Sequence, residues 1–380
     1  MIALPPKYVL QILEKLTAAG YEAYMVGGCV RDTLMRRRPN DWDITTSAEP
    51  DAVVSLFDRT VPTGIRHGTV TVLYGRGACE VTTYRLDGGY SNHRRPDGVR
   101  FTSSLEADLS RRDFTVNAMA MDASGGLRDP FGGRVDISSG LIRCVGEPER
   151  RFSEDALRML RAVRFAAKLG FEIEGRTLCA MLECANFTSS LSAERVAGEI
   201  CGILSSPRPD YVWSLVDFGL IAPYLSSSDI QAVCREPLAS LPGYARLAHW
   251  CAALLKSGYI MSTELFLRSL KFDNRTIKTS RNAVEILRSG SRDYKRLLRD
   301  YGRDAVLAAY PKHRKLRAIL RSNECWSLDR LAINGEYLSE LGYSGKATGD
   351  ALRALLDHVI DYPEDNEFNI LCKLAQERKI

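Results

Sequence analysis

The sequence predicts an α+β protein, a head that mixes strands with helices followed by a wholly helical remainder. Three observations predict it. Apolar and polar residues alternate in "GTVTVLY" (Gly68–Tyr74) and "CEVTTYR" (Cys79–Arg85), the period-two pattern of half-buried strands. From about Ser153 onward the patterns are nearly all helical, beginning with "SEDALRMLRAVRFAAKLGF". At 380 residues, 45% hydrophobic and 26% charged, the composition is that of an ordinary soluble globular protein with room for two or three domains.

Taken in order, Val9, Leu10, Ile12, Leu13 and Leu16 recur at near-helical spacing over residues 6–19, and Gly20 ends that helix. "EAYMVGGCVRD" reads as a buried strand entering a glycine turn and then a helix. The two alternating segments are joined by the turn "GRGA" and predict a hairpin. "RLDGGYSNHRRPDGVRF" (Arg85–Phe101) is rich in Gly, Asn, Asp and Arg and reads as a flexible loop. "RRDFTVNAMAMD" is a mixed segment, and the paired glycines of "DPFGGRVDI" suit a hinge. Ser153 is the expected N-cap of the first long helix, with Glu154 and Asp155 in its first turn. Breaks fall at "SSPRPD", "SSSD" and "YPED", and no internal repeat or low-complexity tract occurs.

Several function classes are disfavoured. The N-terminus lacks the basic, apolar, small-residue order of a signal peptide, and no apolar run approaches the ~20 residues of a membrane helix, so no membrane partner is expected. Ten cysteines, from Cys29 to Cys372, form no CxxC pair, and Cys179 and Cys184 lack a companion His or Cys cluster. They read as reduced, mostly buried thiols of a cytoplasmic protein, with zinc disfavoured. The five histidines (His67, His93, His249, His313 and His358) form no His-Asp pair and no HExxH, which disfavours histidine–metal catalysis. The net charge of +5 says little, but its distribution says more. Between Glu264 and Arg321 stand 16 Lys and Arg against 6 Asp and Glu, a local +10 that leaves −5 for the rest. That imbalance favours a nucleic-acid partner over a merely solvated helix face. Nothing in the sequence sets an oligomeric state.

Two short stretches carry chemistry. In "RRRPNDWDITT" (Arg36–Thr46), Asp41 and Asp43 stand at the mouth of a strand, where aspartate is depleted. At i and i+2 they share a face with Cα atoms roughly 6.6 Å apart, and like charges that close are costly unless neutralised. A divalent cation would neutralise them; a polar turn formed by Pro39, Asn40 and Asp41 is the alternative. In "GGCVRD", Gly27 and Gly28 lie between strand and helix, so their backbone can approach a phosphate, and Arg31 is one helical turn away. A phosphate cradle beside a dicarboxylate suggests magnesium bound to a nucleoside triphosphate, since Mg²⁺ favours one or two carboxylates plus substrate phosphates.

These stretches, followed in order by "HGTVTVLY…EVTTYR", "RRDFTVNAMAMD", "EDALRMLRAVRF" and "AERVAGEI", resemble a class II tRNA nucleotidyltransferase, the bacterial CCA-adding enzymes, a family that also contains bacterial poly(A) polymerases. The likeness covers about residues 20–205. It implies a polymerase-β-like head with a small mixed sheet over residues 1–142 and a helical neck over 143–205. A helical body (206–263) and a basic, tRNA-binding tail (264–380) complete the expected organisation. Asp41 and Asp43 would hold catalytic Mg²⁺, with Glu80 as third carboxylate. Gly28 and Arg31 would contact nucleotide phosphates, Arg112 the nucleotide and Asp113 the ribose. Asp155, Arg158, Arg161 and Arg164 would also bind the nucleotide. One departure is Arg36, which stands where the family usually has a glycine.

The implied activity is template-independent addition of C, C and A from CTP and ATP to the 3′ end of tRNA. Asp155 and Arg158, three residues apart on one helix, are expected to be neighbours. A carboxylate accepts from an exocyclic amine and a guanidinium donates to a ring nitrogen. Cytosine and adenine fit that pair, whereas uracil and guanine mismatch both contacts, at roughly 1–3 kcal/mol per good bidentate pair. Three-residue steps drift by about 60° in an ideal helix, so Arg164 should lie well off the face of Asp155. In the family an intact loop at this place is linked to switching from C to A addition, so the resemblance, with "GGYSNHRRPDGVRF" at full length, implies complete CCA synthesis over CC addition. A poly(A) polymerase is the nearest alternative, and a non-catalytic RNA-binding factor is the alternative from another class.

Overall fold

The computed structural model describes residues 4–75, 77–88, 98–227, 235–322 and 324–377. The chain divides into two compact units, 1–223 and 224–380. The expected head and neck fall together in the first, and the expected body segment is divided between the two.

The first unit opens with α1 (Lys7–Ala18), whose Val9, Ile12, Leu13 and Leu16 form one buried stripe. Gly20 follows at φ +89°, a conformation that favours glycine. The chain then builds β1 (Ala23–Val26), α2 (Gly28–Leu34) and β2 (Asp43–Thr46). Next come β3 (Thr60–Gly64), β4 (Thr69–Tyr74) and β5 (Gly77–Thr83), of which β4 and β5 are the expected hairpin. With β8 (Ala120–Met121) and β9 (Leu127–Arg128) these strands form a seven-stranded sheet, ordered β3-β4-β5-β2-β1-β8-β9. The β2–β5 pairing is parallel and the others antiparallel, so the sheet is mixed as expected. One core joins α1 to it: Ile12, Leu13, Met25, Ile44, Val70, Val72 and Val81 are all at 1% exposure or less.

Arg85–Phe101, expected to be a loop, is paired at both ends: β6 (Arg85–Asp87) and β7 (Val99–Phe101) form a two-stranded antiparallel sheet. Composition hid this, because three-residue strands carry too little pattern to stand out from the Gly and Arg around them. Residues 89–97, on which the loop-length argument rests, lie outside the described residues. The paired glycines of "DPFGGRVDI" have a packing reason. Gly132 sits at φ +72°, and a Cβ on Gly133 would come within 2.2 Å of the Thr115 carbonyl oxygen.

Helices α3 (Leu105–Ser110), α4 (Pro148–Glu154), α5 (Leu157–Leu169) and α6 (Ala193–Leu204) complete the part of this unit that positions the site. In the second unit, α7 (Gly243–Lys256), α8 (Asn274–Ser289), α9 (Arg303–Ala309) and α10 (Arg314–Arg321) enclose a core that includes Ala283, Ile286, Leu298, Val306, Leu316 and Ile319. Asp273 caps α8, accepting from the Thr276 amide at 2.9 Å. A separate cluster near the C-terminus holds Leu338, Leu355, Val359 and Leu371. There His358 Nε2 lies 2.6 Å from Asp365 Oδ2, a His–Asp contact between residues seven apart in sequence that the absence of an adjacent His-Asp pair did not reveal. No helix among the described residues is long and apolar enough to cross a membrane.

Candidate active site

Asp43 opens β2, and its register partners are Val26 on β1 and Glu80 on β5. Register partners on adjacent strands face the same side of a sheet, so Asp43 and Glu80 present two carboxylates side by side. Asp41 is exposed and precedes the strand, because the chain is still in a bend at Asn40; only one of the two aspartates belongs to the strand. Trp42 between them is buried, and its carbonyl accepts from the Cys79 thiol at 2.9 Å.

Burial pushes the Asp43 carboxyl above the usual carboxylate range; Glu80 and Asp41 push the same way and Arg112 opposes them. This carboxylate is short of positive charge. Among the described residues no three His, Cys, Asp or Glu side chains form a ready-made metal cage. The open set fits a hard divalent cation that takes the rest of its shell from water and substrate phosphate.

The glycine turn begins beside these carboxylates, since Val26 pairs with Asp43. Gly27 adopts φ +77°, and a Cβ there would lie 3.3 Å from Nη1 of Arg112. Sequence reasoning named Gly27 and Gly28 together and the resemblance gave the phosphate contact to Gly28; it is Gly27 that carries the positive φ. Arg112 Nη2 donates at 3.3 Å to Oδ2 of Asp108, a carboxylate with no exposure. The same carboxylate accepts from Arg111 Nη2 at 2.7 Å and from the Thr45 hydroxyl on β2 at 3.1 Å. Burial works to raise the Asp108 carboxyl, but Arg112 and Arg111 outweigh it and hold it below the usual range. Arg31 does not stand open to a ligand. It is 2% exposed, donates to Asn117 Oδ1 at 2.6 Å and to Asp32 Oδ1 at 2.8 Å, and lies 5.6 Å from the Phe165 ring centroid.

The single helix expected from Ser153 is two helices. Pro148 starts α4 upstream, with its φ set for a first helical turn, so Ser153 falls in the last turn and donates to the Arg150 carbonyl at 2.8 Å instead of capping. Asp155 is extended at φ −143° and ψ 102°. Its Oδ1 accepts from the Leu157 amide at 3.1 Å, a local bond that competes with continuing the helix. Asp155 and Arg158 are therefore not neighbours along one helix. The Arg158 amide donates to the Asp155 carbonyl at 3.0 Å, but their side chains take other partners. Asp155 Oδ2 accepts from Arg195 Nη2 at 2.7 Å. Arg158, 8% exposed, donates to Glu154 Oε2 at 2.8 Å, the Arg151 carbonyl at 3.2 Å and the Arg111 carbonyl at 3.1 Å.

Arg161 and Arg164 continue the three-residue steps, and the drift sends each to a different partner. Arg161 forks onto Asp113 Oδ2 at 2.9 and 2.5 Å, while Arg164 Nε meets Glu199 Oε2 at 2.6 Å. Arg164 also lies 4.4 Å from the Phe165 ring centroid. Burial works to raise the Asp113 carboxyl, yet Arg161, the Phe114 amide and Arg158 together hold it below the usual range.

Sequence reasoning missed four members of this network: Asp108, Glu154, Arg195 and Glu199. Arg195, Glu199 and Gly202 stand at i, i+4 and i+7 on α6, one face of a helix. A Cβ on Gly202 would come within 2.4 Å of Arg164 Cδ. That spacing within "AERVAGEICG" was the available signal.

Sheet, carboxylates and arginine-lined turn together define a nucleotidyltransferase head, and residues 23–143 match the family described as the poly A polymerase head domain. Residues 170–228 match the one described as the probable RNA and SrmB-binding site of polymerase A. The chain is 39% identical to the CCA-adding enzyme of Geobacillus sp. (strain WCH70), over 93% of this chain and 91% of that one. It is 38% identical to that of Geobacillus stearothermophilus, over 98% and 97%. The crystal structure of the Bacillus stearothermophilus CCA-adding enzyme in complex with CTP superimposes with a TM-score of 0.82 at 33% identity, covering 98% of this chain and 97% of that one. The chain belongs to the CCA-adding enzyme family.

Proposed function

We propose that this protein adds C, C and A from CTP and ATP to the 3′ end of tRNA, without a nucleic-acid template, releasing pyrophosphate. The observation that carries the reading is the pairing of Asp43 with Glu80 beside a turn that Arg112 closes, in a chain akin to CCA-adding enzymes along nearly its whole length.

In this reading the tRNA 3′-hydroxyl attacks the α-phosphorus of the bound nucleotide. Asp41 and Asp43 would hold Mg²⁺, with Glu80 as neighbouring carboxylate. Bound there, the cation would favour the ionised hydroxyl and offset charge developing on the phosphates. Gly27 and Gly28 let the phosphates approach the backbone, and Arg112, steadied by Asp108, supplies a guanidinium to them. Arg31 is held by Asn117 and Asp32, so any direct phosphate contact from it requires exchange of one of those bonds. Asp113 takes the ribose side.

Asp155 accepts from the cytosine or adenine amine, and Arg158 donates to the adjacent ring nitrogen. Arg195 and Glu154 hold these two groups until a base arrives. Arg161 and Arg164 act through Asp113 and Glu199, setting the wall on which the nucleotide rests. We place tRNA binding in the basic tail from residue 264 and the protein in the cytoplasm, where the nine free thiols among the described residues stay reduced.

The poly A polymerase description of the head match favours one rival, a poly(A) polymerase on the same head. Purified protein given CTP alone with tRNA lacking CCA separates the two. Incorporation of two C residues, then one A on adding ATP, is the expected result. Failure to incorporate C would end the reading, and arrest after CC would make the protein a CC-adding enzyme.

A further inference from the structure

Asp43 and Glu80 belong to a row that continues across the sheet. Glu80 is the register partner of Thr71 on β4, and Thr71 is that of Val61 on β3. Two residues further along β5, Thr82 pairs with Thr69. Register partners share a face, so these threonines stand on the carboxylate side of the sheet, while Val70, Val72 and Val81 fill the core on the other. Their hydroxyls meet in pairs, Thr63 with Thr71 at 2.9 Å and Thr69 with Thr82 at 3.1 Å. Either oxygen of a pair can donate, so each pair can offer a further group a donor or an acceptor.

Threonine suits an exposed strand on propensity alone, and cross-strand threonine pairs stabilise a sheet. Propensity does not choose the place. The glycine turn leaves β1 on one side of Asp43, and the threonines lie beyond Glu80 on the other. In phosphoryl transfer the attacking and leaving oxygens stand roughly in line through phosphorus. With the nucleotide's phosphates at the glycine turn, the attacking hydroxyl arrives from the side of β5 and β4, over these threonines. Strands β2, β3, β4 and β5 contain no Lys or Arg, so the face lacks the charge of a phosphate-binding surface. A neutral hydroxyl pair matches another hydroxyl, and the 2′-hydroxyl, donor and acceptor at once, is the group that tells RNA from DNA.

We propose that the face formed by Thr63, Thr69, Thr71 and Thr82 receives the 3′-terminal riboses of the RNA substrate through their 2′-hydroxyls. The proposal rests on the nucleotide-transfer reading above and adds to it the place and the chemistry of the RNA end. In that reading the terminal residue changes as the end grows. A surface that meets the sugar and ignores the base serves every round.

The test uses tRNA lacking CCA in two forms, with riboses or with 2′-deoxyriboses at its last two positions. Wild type should add C to the ribose form with about tenfold higher kcat/KM, the worth of one or two hydrogen bonds. The double variant Thr71→Val, Thr82→Val keeps the β-branched shape and loses both hydroxyls. It should lose about tenfold on the ribose form and nothing further on the deoxy form. The double variant Thr71→Ser, Thr82→Ser should keep the wild-type preference. KM for CTP and the salt slope of tRNA binding should stay at wild-type values in both, because neither the nucleotide pocket nor any cation is altered.

A wild type that does not distinguish the two forms overturns the proposal, and so does a valine variant that loses equally on both. If the double variant fails to fold, the single Thr71→Val and Thr82→Val proteins carry the same comparison. A wild type that adds A but no C sinks the reading of C, C and A addition, and the same two forms given ATP then decide this proposal. Absence of any transfer sinks both.

Discussion

Arg195 Nη2 donates to Asp155 Oδ2 at 2.7 Å, tying α6 to the break between α4 and α5. Nη1 of the same guanidinium is buried with no hydrogen-bond partner. A buried donor left unsatisfied costs about 1–3 kcal/mol, which offsets part of what the ion pair with Asp155 contributes to stability. The position of Arg195 fits holding the Asp155 carboxylate in one orientation. Arg195→Ala should therefore raise KM for CTP and ATP about tenfold, and narrow the preference over UTP and GTP, since each good base contact is worth roughly 1–3 kcal/mol. Steady-state kinetics with the four nucleotides decides it. A uniform fall in kcat with selectivity intact would make Arg195 a structural residue only.

Asp43 is predicted to trade stability for function. Its carboxyl is raised by burial and by Glu80 and Asp41. The native state therefore binds more protons than the unfolded one just above the ordinary carboxylate value, and stability falls as pH rises through that window. At neutral pH without divalent cation, Asp43→Asn should melt no lower than wild type. Magnesium should raise the wild-type melting temperature, by an amount approaching 2.7 kcal/mol of stability at about a hundredfold excess over Kd, and should leave the variant unmoved. The variant should also lose nucleotide transfer while still binding tRNA. Equal stabilisation of both proteins by magnesium would place the ion elsewhere.

The strands carrying Asp43 and Glu80 were legible because alternation and a glycine turn are local signals, readable a few residues at a time. The separation of Asp155 from Arg158 was not. It depends on the Asp155 side chain choosing the Leu157 amide over a continuing helix, a contest between two local bonds of similar strength. The partners of Arg161 and Arg164 were hidden for a different reason: Asp113 and Glu199 are 48 and 35 residues away from the arginines they hold. Net charge also misled in part, since counting Arg296 as available ignores Asp361, which folding brings to it.

The Arg161–Asp113 pair should be a pH-dependent support of the neck. The Asp113 carboxyl lies below the usual range because Arg161 and the Phe114 amide overcome its burial. Stability from such a group is present above the unfolded value of about 3.9 and is lost as pH falls from there through the folded value. Arg161→Met leaves Asp113 buried and unpaired, which should cost about 3–5 kcal/mol at neutral pH. That deficit should shrink as pH falls toward about 4, because burial without Arg161 raises the stranded carboxylate and protonates it early. Combining it with Asp113→Asn should recover part of the loss at pH 7. Urea denaturation of the wild type and the two variants at both pH values is the check, and a deficit independent of pH would assign the loss to packing.

Arg36 should be the easiest residue in the head to improve. It follows α2 with φ +56°, one of two non-glycine residues among those described with positive φ. Its amide donates to the Thr33 carbonyl at 3.0 Å, and the Arg37 amide to the Asp32 carbonyl at 2.7 Å, the closure that glycine ordinarily makes at a helix C-terminus. A side chain in the left-handed region costs roughly 1–2 kcal/mol, and part of that is returned when glycine widens the unfolded ensemble. Arg36→Gly should raise stability by about 0.5–1 kcal/mol, whereas the β-branched Arg36→Val should lower it. The side chain is exposed and no bond from its guanidinium to another described residue supports the turn toward Asp41, so CTP incorporation should be unchanged by the glycine. A lower melting temperature for Arg36→Gly would mean that the arginine side chain holds the turn through contacts its backbone angle does not reveal.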